Sequence, residues 1–192
     1  MPMAKPIRVG FIVVQSGFGG GEVNVQSLLT RLDRRAITPV LLAPADSPLA
    51  QQALVEGWEY LPLRPAPFRS TSSEWLGRKF INPLNCAADV ALLPFYTIYL
   101  ERKLRQAQVD IVQTNSIFAH LCGGAAAQRL GKPCVWQLGD IVSPDLGFGL
   151  PNQLCRQLAM RQSAVVVPSQ ATRAAYGNAP NVTVISNGVD AD

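Results

Sequence analysis

A chain of 192 residues can bury a sizeable core and suits one large domain better than two small ones. Apolar residues make up 48% and charged residues 16%, the profile of a packed α/β protein, which excludes a disordered or fibrous chain. The net charge of +4 sits mainly on scattered arginines with no Lys/Arg run, so nucleic acid is not an expected partner, whereas an anionic small molecule or a membrane surface suits the mild basicity.

Ile7 to Val14 is rich in β-branched residues and too short for a helix, while Glu22 to Leu32 sets Val25, Leu28, Leu29 and Leu32 at helical spacing. Between this strand and helix lies Gln15-Ser16-Gly17-Phe18-Gly19-Gly20-Gly21-Glu22, with four glycines in five positions. Two readings of that turn stand side by side. Uncovered backbone N–H groups at the positive end of a helix suit a phosphate, and a turn requiring positive φ asks for the same glycines.

Thr38 to Ala43 reads as a second strand, Ser47 as the N-cap of a short helix reaching about Glu56, and Trp58 to Leu63 as a third strand. From Arg64 to Pro83 the pattern dissolves into Pro, Ser, Arg and single aromatics, longer than an ordinary connection. Arg69, Arg78 and Lys79 beside Trp75, Leu76, Phe80 and Ile81 suit a flap over a ligand or a patch on an anionic membrane, and equally an irregular excursion packed on the domain. Leu84 to Gln108 is a long helical pattern, kinked or broken near Pro94. Its most apolar part, Cys86 to Leu100, is interrupted by Asp89 and Pro94 and falls short of a bilayer span.

Val109 to Thr114 is the fourth strand, and Asn115-Ser116 caps a helix from Ile117 to Leu130 whose Gly123-Gly124-Ala125-Ala126-Ala127 run is small enough to sit tightly on a sheet. Gly131-Lys132-Pro133 ends it, and Cys134 to Leu138 is the fifth strand. Gly139 to Pro151, with Asp140 and Asp145, is a long loop at a strand C-terminus, where such sheets carry their chemistry. A helix from Asn152 to Arg161, a strand from Ser163 to Val167, a helix opened by Pro168-Ser169 and a strand from Val182 to Ile185 complete the series. The alternation predicts a doubly wound Rossmann-like parallel sheet of about seven strands, ordered 3-2-1-4-5-6 with the seventh at the far edge.

Several chemistries are excluded by their missing residues. A dinucleotide fingerprint begun at Gly17 would need a glycine where Glu22 stands, and no acidic residue closes the second strand. There is no Gly-Lys-Ser/Thr of a P-loop and no G-x-S-x-G elbow, and the single histidine, His120, falls inside a helix as a structural residue. Cys86, Cys122, Cys134 and Cys155 are widely spaced, so no metal site is expected. Two of the four sit in segments expected to be buried, as small hydrophobes, and a reducing cytosol is the simplest compartment; the N-terminus runs into the first strand without a signal-type segment, so a cytoplasmic protein is expected.

Gly20-Gly21-Glu22 after the first strand, Val109 to Ser116, Gly131-Lys132-Pro133, Val165-Val166-Val167-Pro168-Ser169 and above all Val184-Ile185-Ser186-Asn187-Gly188-Val189-Asp190 occur in an order that resembles the N-terminal half of family 4 glycosyltransferases. The resemblance covers almost the whole chain. It implies a GT-B architecture in which residues 1–185 form the acceptor-binding domain and residues 186–192 begin the linker to a C-terminal, donor-binding domain. It further implies transfer of a sugar from a nucleotide-sugar donor to a sugar or lipid-linked acceptor, with retention of configuration and with no cofactor or metal beyond the nucleotide-sugar co-substrate.

On that resemblance Gly19, Gly20 and Gly21 offer N–H groups to the donor diphosphate, and Asn115, Ser116, Gln137 and Ser169 contact acceptor or transferred sugar. Family members often carry a histidine at the end of strand five and many have one near the end of strand four. This chain has Gln137-Leu138-Gly139-Asp140 and Gln113-Thr114-Asn115 there. Asp140 therefore becomes the expected catalytic residue, with a cap or loop role open beside it. A non-catalytic carbohydrate- or nucleotide-binding module, or a sugar-nucleotide epimerase on the same fold, remains an alternative.

Overall fold

The structure, a computed structural model, describes residues 5–17, 19–67, 72–75, 78–81, 83–139, 150–176, 179–186 and 188. The chain runs β1 (Ile7–Ile12), α1 (Gly20–Arg31), β2 (Ile37–Pro44), α2 (Pro48–Glu56), β3 (Glu59–Leu63), β4 (Ser72–Trp75) and β5 (Arg78–Ile81). It continues through α3 (Pro83–Ala107), β6 (Ile111–Thr114), α4 (Ile117–Arg129), β7 (Cys134–Gln137), α5 (Leu150–Ala159), β8 (Ala164–Val167), α6 (Gln170–Ala175) and β9 (Val182–Val184).

Seven strands form one parallel sheet in the order β3-β2-β1-β6-β7-β8-β9. With β4 and β5 set aside, this is the expected 3-2-1-4-5-6-7. Successive β1 residues point to opposite faces, and the core divides accordingly. Val9, Phe11 and Val13 pack with Val25 and Leu29 of α1, Leu41 of β2 and Leu49 of α2. Ile12 and Val14 pack on the other face with Leu100 and Leu104 of α3, Ala126 of α4 and Trp136. Helices α1 and α2 thus cover one face over β1 to β3, whereas α3 to α6 contribute to the core of the other.

The helix ends follow local chemistry. Ser47 Oγ accepts the Ala50 N–H at 3.2 Å and donates to the Pro44 carbonyl at 2.7 Å, tying α2 to the end of β2. After α4, Gly131 turns at φ +63, its N–H donating to Gln128 O and that of Lys132 to Ala127 O, the paired bonds of a Schellman motif. The small residues of α4 are required by close packing. A Cβ at Gly123 would stand 2.8 Å from Thr114 Cγ2, and one at Gly124 would stand 2.9 Å from Trp136 Nε1.

One expectation changes, and the break that Pro94 left open in the long helix does not occur. The stretch read as irregular contains an antiparallel hairpin, with Ser72 opposite Ile81 and Trp75 opposite Arg78. The direct pairing of Trp75 with Arg78 leaves a two-residue connection that includes Gly77, a hairpin signal inside polar text. The Arg69, Trp75, Leu76, Arg78, Lys79, Phe80 and Ile81 side chains expected to form a flap or patch lie outside the described side chains. Helix α3 passes through Pro94 as one 25-residue element. The proline is on its exposed side, while Tyr96, Leu100 and Leu104 anchor the following turns in the core. No described helix is long and apolar enough to cross a membrane.

Candidate functional site

In a sheet of this order the chain leaves β1 toward one side and β6 toward the other, so a crevice opens between their C-terminal ends. The glycine turn occupies it. None of Gly17, Gly19, Gly20 and Gly21 has a positive φ, and Gly19 is extended at −138°. Added Cβ atoms at Gly17 and Gly20 would meet nothing within 4 Å. Backbone strain and internal crowding therefore do not account for these glycines, and the positive-φ reading of the turn falls away.

At the start of α1, Gly19 N–H donates to Glu22 Oε2 at 2.9 Å, so this chain supplies its own carboxylate to the first orphan donor. Gly20 and Gly21 occupy the first two helical positions, whose N–H groups have no intrahelical acceptor. Opposite them stands the end of β6. A Cβ on Gly21 would lie 3.5 Å from the Asn115 carbonyl oxygen. The Asn115 side-chain amide is buried at both its oxygen and its nitrogen, and neither atom has a hydrogen-bond partner among the described residues. Native proteins leave few such groups unpaired without a reason.

The remaining expected site residues are engaged in hydrogen bonds of their own or lie outside the described residues. Ser116 is the N-cap of α4, its Oγ 3.4 Å from the Ala119 N–H. Ser169 caps α6, accepting the Thr172 N–H at 3.1 Å and sharing a 2.9 Å hydrogen bond with the Thr172 hydroxyl. Gln137 Oε1 accepts from Gln113 Nε2 at 2.7 Å. Both glutamines line an open groove of about 640 Å³ between α1 and the ends of β7 to β9, with Asn24, Ser27, Arg31 and Val166. Asp140 lies outside the described residues.

Two contributors are less evident in the sequence. Asp46 stands just beyond β2, whose strand runs to Pro44 rather than stopping at Ala43, and accepts a 2.8 Å hydrogen bond from Ser16 of the glycine turn. Gln113 attracts attention in the sequence only as the place of an absent histidine; its alternation with buried Val112 and Thr114 is the signal that turns it toward the groove.

His120 is not part of the crevice chemistry. Its ring stacks on Trp136 at 4.7 Å between centroids, Nδ1 lies 2.6 Å from Thr114 Oγ1, and burial pushes its pKa down to about 3. It stays neutral at physiological pH. Burial likewise raises the Cys122 thiol to about 11 and Cys134 to about 12, so neither is a nucleophile. Among the described residues no His/Cys/Asp/Glu group could hold a metal ion.

The fold is that of the N-terminal half of a GT-B protein. Structural likeness extends to HepE of Anabaena in complex with UDP and glucose, with 22% identity over 96% of this chain and 45% of that one and a TM-score of 0.65. MurG of Acinetobacter baumannii gives 18%, 97%, 46% and 0.61. UDP-N-acetylglucosamine 2-epimerase of Rickettsia bellii gives 12%, 95%, 45% and 0.60. The chain thus spans less than half the length of each. No curated protein matches the sequence. The model of Glycosyltransferase Family 4 matches residues 18–192, and the chain belongs to that family.

Proposed function

We propose that the chain is the acceptor-side half of a retaining glycosyltransferase, which moves a sugar from a nucleotide-sugar donor to a sugar or lipid-linked acceptor. In this reading residues 1–185 are the acceptor domain and residues 186–192 lead toward a donor-binding half. The observation that carries it is the approach of Gly21, at the start of α1, to the backbone carbonyl of Asn115, a residue whose side-chain amide is buried with no partner among the described residues. A departing nucleotide diphosphate needs N–H donors and a favourable dipole, and Gly20 and Gly21 supply both. Gly19 contributes its N–H if the incoming phosphate displaces Glu22. The buried, unpartnered Asn115 amide would supply a donor and an acceptor to sugar hydroxyls once the crevice opens to admit them.

Gln137 and Gln113 offer a second polar pair nearer the groove. Ser116 and Ser169 act chiefly through the helix starts they cap. Asp140 follows the fifth strand of the sheet series and is the proposed catalytic carboxylate. Transfer of this kind requires no metal and no cofactor other than the co-substrate, and we place it in the cytoplasm. The test is an assay of this chain, and of the chain extended by the coding sequence that follows it, with UDP-sugars. Turnover in the extended protein alone is expected; full turnover by residues 1–192 would sink the two-domain reading.

A binding module without turnover is the second reading, favoured by Glu22 holding Gly19 and by a neutral, buried His120. It predicts ligand binding with no nucleotide release by the extended chain. The epimerase alternative rests on the Rickettsia bellii neighbour. It predicts an isomerised sugar without transfer to an acceptor.

A further inference from the structure

The end of α4 and the turn between α5 and β8 border an open pocket of about 200 Å³. Cys134 opens β7 and Ser163 directly precedes β8, so this pocket lies at the opposite edge of the parallel sheet from the crevice. Lys132 and Arg161 both line it, one following each helix, and no described acidic residue does. Neither cationic side chain has a carboxylate or hydrogen-bond partner among the described residues.

A cation beside a helix end ordinarily answers the last carbonyls of that helix, which together carry about half a negative charge. Here two helix ends face two full positive charges. The carbonyls are also occupied: Ala127 O accepts from the Leu130 and Lys132 N–H groups, Gln128 O from that of Gly131, and Ala159 O from Gln162 N–H and the Asn181 amide. The pocket is therefore left cationic. Its neutral side chains add donors to that charge. Ser163 Oγ accepts the Cys134 N–H at 3.2 Å, which leaves the hydroxyl proton to donate, and that proton has no acceptor among the described residues. Exposed Gln128 brings a side-chain amide without a partner among the described residues.

We propose that this pocket binds an oxyanion of phosphate size, as the free ion or as a phosphomonoester, with Lys132 and Arg161 on its charge and the Ser163 hydroxyl on one of its oxygens. The bound anion would bridge the segment that ends α4 to the segment that enters β8. The inference does not depend on what the crevice binds.

The experiment is titration of the 192-residue chain, followed by amide proton–nitrogen spectra, with inorganic phosphate, glucose 1-phosphate, glucose and, at matched ionic strength, chloride. Shifts of the Lys132 and Ser163 amides are expected with the two phosphates, half-saturating at about 1 mM, and not with glucose or chloride. Tighter binding of glucose 1-phosphate makes an ester the ligand, and equal or weaker binding makes it the free ion; both outcomes support the site. Lys132→Gln and Arg161→Gln should each weaken binding about tenfold. Arg35→Gln removes an equal charge at the same edge, three strands away, and should weaken it less than about twofold. All three positions are exposed, and unfolding curves identify any variant that fails to fold. No saturable shift, equal shifts with chloride, or equal losses in Arg35→Gln and Arg161→Gln would each overturn the proposal. So would shifts confined to the Gly20 and Gly21 amides, which would place the anion in the crevice alone.

Discussion

In the proposed reading, Asn115 is the residue at which folding and function make opposite demands. A buried amide without partners costs about 1–3 kcal/mol, and nothing described in the chain offsets that cost locally. Asn115→Ala is therefore expected to leave unfolding free energy unchanged or to raise it by about 1 kcal/mol, while lowering transfer by the extended protein. A clear loss of stability in a urea titration would make the amide structural. His120 makes a prediction of a different kind. Its folded pKa is about 3, against 6.5 for an ordinary imidazole, so the unfolded state takes up a proton that the folded state refuses. That contribution to stability is complete above pH 6.5 and is lost as pH falls toward 3. Between pH 7 and pH 5 the loss should be about 2 kcal/mol. His120→Gln should lack this component in urea midpoints measured at the two pH values.

At the scale of elements, α4 is fitted to the sheet by its missing side chains. Gly123→Ala would gain about 1 kcal/mol of helix propensity. Its Cβ, however, would stand 2.8 Å from Thr114 Cγ2 and 2.9 Å from Ile12 Cδ1. The isoleucine tip can move, but Thr114 is fully buried and held by His120. A net loss of about 1–2 kcal/mol is expected in chemical denaturation. Helix α3 presents the reverse case. Gln108 follows its last turn at φ +50, a region that favours glycine, so Gln108→Gly should stabilise by about 0.5–1 kcal/mol. A decrease would mean that the Gln108 side chain makes a contact worth more than the backbone strain.

The molecule as a whole is lopsided, with helices contributing core along one face and, on the other, α1 and α2 packed over β1 and β2. Gln113, Val135, Gln137 and Val166 line the open groove on the remaining part. In the proposed reading the crevice is one wall of a donor site. Millimolar UDP-glucose should then stabilise residues 1–192 by less than about 1 kcal/mol and the extended protein by more. Melting temperatures with and without ligand compare the two directly.

The order of the seven-stranded sheet was legible because each strand and helix announces itself through its own periodicity and because parallel connections leave few topologies open. The caps at Ser47, Ser116 and Ser169 and the glycine turn after α4 were legible because each depends on near neighbours in sequence, and the tight seat of Gly123 and Gly124 because a run of small residues on a helix suits close packing on a sheet. The hairpin of β4 and β5 was not, since four-residue strands separated by two residues are shorter than a periodicity can resolve. The glycine turn was visible in the sequence, but not that Glu22 fills its first donor or that its φ angles are ordinary. Nor could any local pattern bring Gly21 to Asn115 or Gln113 to Gln137, because residues distant along the chain meet only through strand register. Local chemistry thus determined the elements and their ends. The tertiary structure alone decided which polar groups face the crevice, which are consumed in holding helices, and which side of α3 is left bare, because those outcomes depend on what the folded sheet places opposite each residue.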